Sequence, residues 1–177
     1  MKRDVMWTPV KEPGFEYLRL IQDDDGILAD AWVIGIDNNA APFRVSYKIR
    51  CDVTWVVREC SVEVINGASL VLQRDDAGHW KTLSSDFDGC IDVDISVTPF
   101  TNTLPIQRLA LQTGEARETT VVMIRIPDLS LTPVVQRYTR LNDITYRYEN
   151  LTKPYTAELI VDSDDLVIDY KGVFKRA

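Results

Sequence analysis

Phe43–Val53, FRVSYKIRCDV, alternates without a break. Phe43, Val45, Tyr47, Ile49, Cys51 and Val53 fall on one face, and Arg44, Ser46, Lys48, Arg50 and Asp52 on the other. A side-chain period of two is the signature of a strand with one apolar and one polar face. The run is longer than the usual strand of about 5–6 residues, as expected in a long curved sheet or a barrel. Trp55–Ile65 continues in the same style, and Asn66-Gly67 then supplies a hairpin-turn dipeptide.

Working outward, strands are predicted over Phe15–Ile21, Ile27–Ile36, Leu70–Arg74 and Trp80–Leu83. In the second half they are predicted over Thr119–Ile126, Leu131–Leu141, Ile144–Tyr148, Tyr155–Val161 and Leu166–Phe174. Between them lie turn sequences rich in Asp, Asn and Gly: Asp23–Gly26, Asp37-Asn38-Asn39, Asp75–Gly78, Gln112–Glu115, Asn142-Asp143 and Asp162–Asp165. Gly35 inside a strand suggests a bulge or a close backbone approach. Residues 1–14, with Trp7, Pro9 and Pro13, read as an irregular lead-in pinned by its tryptophan. Short strands at near-regular spacing, with no sustained 3.6 period, indicate an antiparallel all-β domain. No linker, repeat or low-complexity tract interrupts it, so a single domain over residues 1–177 is predicted.

One stretch carries an unusual load. In Gly89–Leu111, GCIDVDISVTPFTNTLPIQRLAL, Ile91, Val93, Ile95 and Val97 alternate with Asp92, Asp94, Ser96 and Thr98. Asp is depleted in sheets, so two carboxylates on one strand face stand out. Pro99 ends the strand. Thr101-Asn102-Thr103 follow as small hydrogen-bonding side chains, and Leu104-Pro105 restarts the chain, with a helical turn capped by Thr103 as one reading. Arg108 lies close behind.

The segment Asp92–Leu109, taken with Trp55, Gly78, Trp80, Gln136-Arg137-Tyr138 and Asp169-Tyr170, resembles the glycolipid-binding family of bacterial cytoplasmic proteins, over nearly the whole chain. The resemblance implies a single large curved antiparallel sheet forming an incomplete, half-closed barrel, similar in shape to carriers of lipoproteins, with at most short helical turns.

Composition narrows the function classes. A net charge of −7 and a pI near 4.7 argue against a nucleic-acid backbone as ligand, which needs clustered Lys and Arg, and against docking on anionic lipid. The N-terminus has no apolar signal-peptide core, and no apolar run is long enough to span a bilayer. Cys51, Cys60 and Cys90 are odd in number and lack metal-ligand spacing, so they read as reduced thiols of a cytoplasmic protein. The single histidine, His79, falls in a turn and has no triad partners nearby. Neither a nucleotide loop nor a zinc-ligand set is present in the sequence, and no cofactor or metal is expected. Of enzyme chemistries, those that use carboxylates alone remain.

Asp92 and Asp94 sit at i and i+2, roughly 6.5–7 Å apart at the Cα level. That spacing overlaps the range for paired-carboxylate glycoside hydrolysis, and it equally suits acceptance of hydrogen bonds from sugar hydroxyls. They could also pair with Arg58, Arg108 or Arg137 across the sheet. Thr101, Asn102 and Thr103 could face a ligand or serve local caps. Trp55, Tyr138 and Tyr146, among the other aromatics, could line an amphipathic pocket or fill the core. The expectation is a non-catalytic binder of an amphipathic small molecule such as a glycolipid. Its head would meet Asp92, Asp94, Asn102 and Arg108 and its chain the aromatic and aliphatic inner face, with Thr101, Thr103, Arg58, Trp55, Tyr138 and Tyr146 completing the predicted ligand-binding set. The rivals are a carboxylate hydrolase using Asp92 and Asp94, and a scaffold whose concave face is filled by its own side chains.

Overall fold

The computed structural model describes residues 1–37 and 39–177, so the turn assigned to Asp37-Asn38-Asn39 lies in part outside the described residues. In chain order the strands of the first half are β1 (Lys2–Pro9), β2 (Phe15–Asp23), β3 (Gly26–Ile36), β4 (Pro42–Cys51), β5 (Val57–Val64) and β6 (Ser69–Gln73). Those of the second are β7 (Cys90–Ile95), β8 (Ala116–Ile124), β9 (Leu131–Asn142), β10 (Thr145–Asn150), β11 (Tyr155–Val161), β12 (Val167–Tyr170) and β13 (Phe174–Arg176). One helix, α1 (Thr103–Leu109), follows a single 3-10 turn over Phe100–Asn102.

Among the described residues all thirteen strands join in one sheet, ordered β6-β5-β4-β3-β2-β1-β13-β12-β11-β10-β9-β8-β7, which does not close into a barrel. Each half is a chain of neighbouring strands, as tight turns between alternating segments require. The halves meet where the first strand pairs with the last, Trp7 opposite Arg176 and Pro9 opposite Phe174. Residues 1–14 are therefore not a loose lead-in. Lys2–Pro9 gains a partner on each side, and its alternation of buried Val5 and Trp7 with exposed neighbours is that of a strand. The Trp7 indole N–H donates to the Val167 carbonyl at 2.7 Å. Arg176 donates to the Asp162 carboxylate at 2.6 Å, and Arg3 pairs with Asp162 and Asp164, so the seam is stitched by side chains as well as backbone.

Three further expectations change. Trp80–Leu83 is not a strand; one isolated bridge, Arg74 to Trp80, is all the pairing it makes among the described residues. Leu166–Phe174 divides into β12 and β13 around a turn at Lys171–Val173. The pairing is antiparallel except between β7 and β8, which run parallel. A parallel neighbour cannot be reached by a hairpin, and the chain crosses over through residues 96–115, which contain α1. Gly35 marks a close approach and not a bulge: its pairing to Phe43 stays in register, and a Cβ there would stand 2.8 Å from the Phe43 ring.

The crossover is the centre of the molecule. Phe100 through Ile106 are buried, and the polar atoms of this segment reach the sheet on every side. The Thr98 hydroxyl meets Glu16 on β2, the Asn102 amide oxygen accepts from the Tyr138 hydroxyl on β9, and the Thr103 hydroxyl donates to the Asp165 carbonyl in the β11–β12 turn. Phe100 and Leu104 belong to the larger apolar cluster, with Trp7, Leu18, Tyr47, Ile95 and Ile124. Ile106 belongs to the smaller one, with Tyr138, Tyr146, Tyr148 and Leu159. The short helix thus fills the space the sheet wraps around and joins two cores. Leu104→Ala is expected to cost about 2–5 kcal/mol, since a fully buried leucine between packed elements leaves a cavity that cannot collapse. A urea midpoint lowered at unchanged slope checks it.

Candidate functional site

Strand β7 does not have one apolar face and one solvated face; both are covered, with Asp92 buried and Asp94 part-buried. Val93 and Ile95 enter the larger apolar cluster, while Asp92 and Asp94 face the crossover and β9. Asp92 is fully buried and receives a two-pronged ion pair from Arg108, Nε at 3.1 Å and Nη2 at 2.6 Å. The Thr119 hydroxyl, on β8, lies 3.3 Å from the same carboxylate and 2.8 Å from Arg108. A guanidinium fork on a carboxylate is a strong, geometrically specific contact, and in a buried site its attraction offsets the cost of taking both charges out of water. Asp94 takes hydrogen bonds from the Thr101 hydroxyl at 3.0 Å and the Gln136 amide at 2.6 Å. Burial raises its carboxyl above the ordinary carboxylate range, against the lowering effect of those two donors.

Of the ten residues predicted to meet a ligand, seven therefore come together: Asp92, Asp94, Thr101, Asn102, Thr103, Arg108 and Tyr138. Their polar atoms are engaged with one another and with Thr119, Gln136, Pro99 and Asp165. The other three lie elsewhere. Tyr146 packs in the smaller cluster beneath Arg140, whose guanidinium carbon is 5.8 Å from its ring. Trp55 is buried in the β4–β5 loop at a left-handed φ of 66°. Arg58 is part-exposed and pairs with Asp52 at 2.8 Å.

The open space lies at one end of the sheet. A cleft of about 780 Å³ is bounded by the ends of β1, β3, β7 and β8 and the starts of β4, β11 and β13. Val33, Val97, Ile126, Val173 and Phe174 give it an apolar floor, and Gly35 lets the Phe43 ring lie along one wall. None of the ten predicted residues lines it. The sequence held a usable sign in the run Ile34–Phe43, where an apolar strand end, a glycine and an aromatic come together across a turn.

A second feature was missed outright. Glu16 is buried on β2 beside Val33, its register partner on β3. Its Oε1 accepts from the Tyr47 hydroxyl at 2.5 Å and the Thr98 hydroxyl at 2.7 Å, and Oε2 has no partner among the described residues. Burial pushes this carboxyl up to about 8, opposed by the two hydroxyl donors. The signal was in the alternation: Glu16 shares a face with Leu18 and Leu20, whereas Phe15, Tyr17 and Arg19 share the other.

Two measurements follow from this geometry. Arg108→Met strands Asp92 without a counter-charge and is expected to lose roughly 3–5 kcal/mol of stability, whereas Arg108→Met combined with Asp92→Leu should recover most of it in chemical denaturation. For Glu16 the folded protein holds a proton that the unfolded chain releases near its ordinary value of 4.5, so this group's stabilising contribution is present below that pH. It is lost as pH rises from there towards about 8. Urea denaturation of Glu16→Gln and wild type at pH 5 and pH 8 should therefore show the variant gaining on wild type by more than about 2 kcal/mol at the higher pH.

Comparison with known proteins places the chain. A family model described as "Putative glycolipid-binding" matches residues 4–176. A crystal structure of a DUF1089 family protein from Pseudomonas aeruginosa is 39% identical in sequence and superposes with a TM-score of 0.83. That match covers 93% of this chain and 92% of the other. No curated protein matches. No helix among the described residues is long and apolar enough to cross a membrane. With all of the sheet except Lys2 and Arg3 of β1 inside the matched span, the chain belongs to the family that this description names.

Proposed function

We propose that the protein binds an amphipathic molecule, a glycolipid being the type case, and does not turn it over. The observation that carries this reading is the cleft at the open end of the sheet. Its volume of about 780 Å³ falls within the range of roughly 300–1,000 Å³ common for small-molecule sites. The apolar part of the ligand would lie on Val33, Val97, Ile126 and Phe174, and its polar part at the mouth. The description of the family points the same way. The head-group contacts expected of Asp92, Asp94 and Arg108 move to the cleft rim in this reading, because Asp92 and Arg108 are paired with each other and Asp94 is engaged by Thr101 and Gln136.

The hydrolase reading draws on the direction in which burial moves the Asp94 carboxyl, upward, as it must for a general acid. Against it, both carboxylates are enclosed by Arg108, Thr119, Thr101 and Gln136, and neither borders the cleft. The scaffold reading draws on the crossover that fills the interior, and it confines any ligand to the mouth. Three buried, unbridged cysteines support a cytoplasmic setting.

Native mass spectrometry of the protein purified from its own host, followed by organic extraction, tests the proposal. The expected result is an added mass that leaves on denaturation and extracts as an amphiphile. Ile34, at the cleft wall and more than half exposed, can carry a charge without disturbing the core, so Ile34→Arg should reduce the bound fraction about tenfold or more. A bare polypeptide mass for wild type and variant alike would favour the scaffold.

A further inference from the structure

The cleft mouth carries charge of both signs. Lys11 and Arg125 supply two cations, and Glu12, Asp37 and Asp128 supply three carboxylates. Neither cation takes part in an ion pair among the described residues. Asp37 uses Oδ1 to accept from the backbone N–H groups of Asn39 and Ala41, both at 2.8 Å. Asp128 uses Oδ1 for the Ser130 N–H and hydroxyl, at 3.2 and 3.0 Å. In each case the turn occupies one carboxylate oxygen and leaves the other as an acceptor. The Ser96 hydroxyl accepts from the Ile126 N–H at 3.0 Å and keeps its own proton to donate.

This rim holds donors and acceptors together, and an anion site is built differently. Phosphate and sulfate are held by converging Arg and Lys, with carboxylates kept away. Here an anionic head would meet more negative than positive groups, within a protein of net charge −7. A hydroxyl, by contrast, donates once and accepts twice, so a head with several hydroxyls can use both carboxylates and cations. Tyr155, nearly half exposed at the same mouth, offers an aromatic face to the C–H side of a sugar ring.

We infer that the cleft mouth selects an uncharged, hydroxyl-rich head over a phosphate, sulfate or carboxylate head carried on the same apolar chain. The inference rests on the proposal that the cleft holds an amphiphile. It assigns the selection to Asp37, Asp128 and Glu12 as acceptors and to Arg125, Lys11 and Ser96 as donors.

Isothermal titration of the full chain at pH 7 and low salt tests it with three probes that share a tail: octyl β-glucoside, octyl phosphate and 1-octanol, each below its micelle concentration. The glucoside is expected to bind at least about fivefold more tightly than the phosphate, and Asp37→Asn with Asp128→Asn should shrink that ratio by weakening repulsion of the phosphate. Octyl phosphate binding as tightly as the glucoside, or tighter, overturns the selectivity and leaves the cleft as an amphiphile site. Failure of all three probes, octanol included, overturns the amphiphile site itself and the selectivity with it.

Discussion

Asp92 has no exposed side-chain surface, and the arrangement of this protein depends on how that charge is answered. Arg108, at the end of a helix of only two turns, meets it with both prongs of its guanidinium. The pair ties the crossover to the edge strand β7, and Thr119 ties both to β8. A buried carboxylate without its cation is costly by several kcal/mol, so the helix has one depth and one rotation that it can adopt. Thr98, Thr101, Asn102 and Thr103 then have their partners within reach on β2, β7, β9 and the β11–β12 turn.

That constraint divides the interior. A sheet of this size wrapped around nothing would leave a large apolar cavity, and interiors are packed nearly as densely as organic crystals. The crossover fills most of the space and joins the two apolar clusters through Leu104 and Ile106. What stays open is the mouth, where the strands end beside Val33, Val97 and Phe174. Glu16 lies just behind this floor and holds Thr98, the residue after Val97, by a hydrogen bond. The wall of the cleft is therefore fastened by a carboxyl that stays protonated near neutral pH, with Tyr47 as the second clasp.

Reading polar residues in a strand illustrates why local patterns stop short of a site. The alternation at Asp92 and Asp94 was visible, but its meaning depends on what covers that face. Had solvent covered it, the two carboxylates would have had open acceptor oxygens; because the crossover and β9 cover it, those oxygens are engaged by Arg108, Thr101 and Gln136. The same ambiguity ran in reverse at Glu16, where a carboxylate on the face of Leu18 and Leu20 was legible as an anomaly and went unused. Trp7 is a third case: two prolines nearby suggested an irregular lead-in, whereas pairing with β13 made a central strand of it.

By itself the sequence determined the all-β class, nearly every turn, and most strand positions to within a few residues. It also allowed a helical turn after Pro99 as one reading; the structure makes it α1, with Thr103 as its first residue and no side-chain cap. These follow from side-chain period and turn chemistry, which act over a few residues. Tertiary structure alone decided that the first and last strands meet, that β7 runs parallel to β8 and is covered on both faces, and that the open cleft lies at the far end of the acidic strand rather than beside its carboxylates. Each of these depends on contacts between residues far apart in the chain. No local pattern encodes which strand edge finds which partner, or which face another segment will cover.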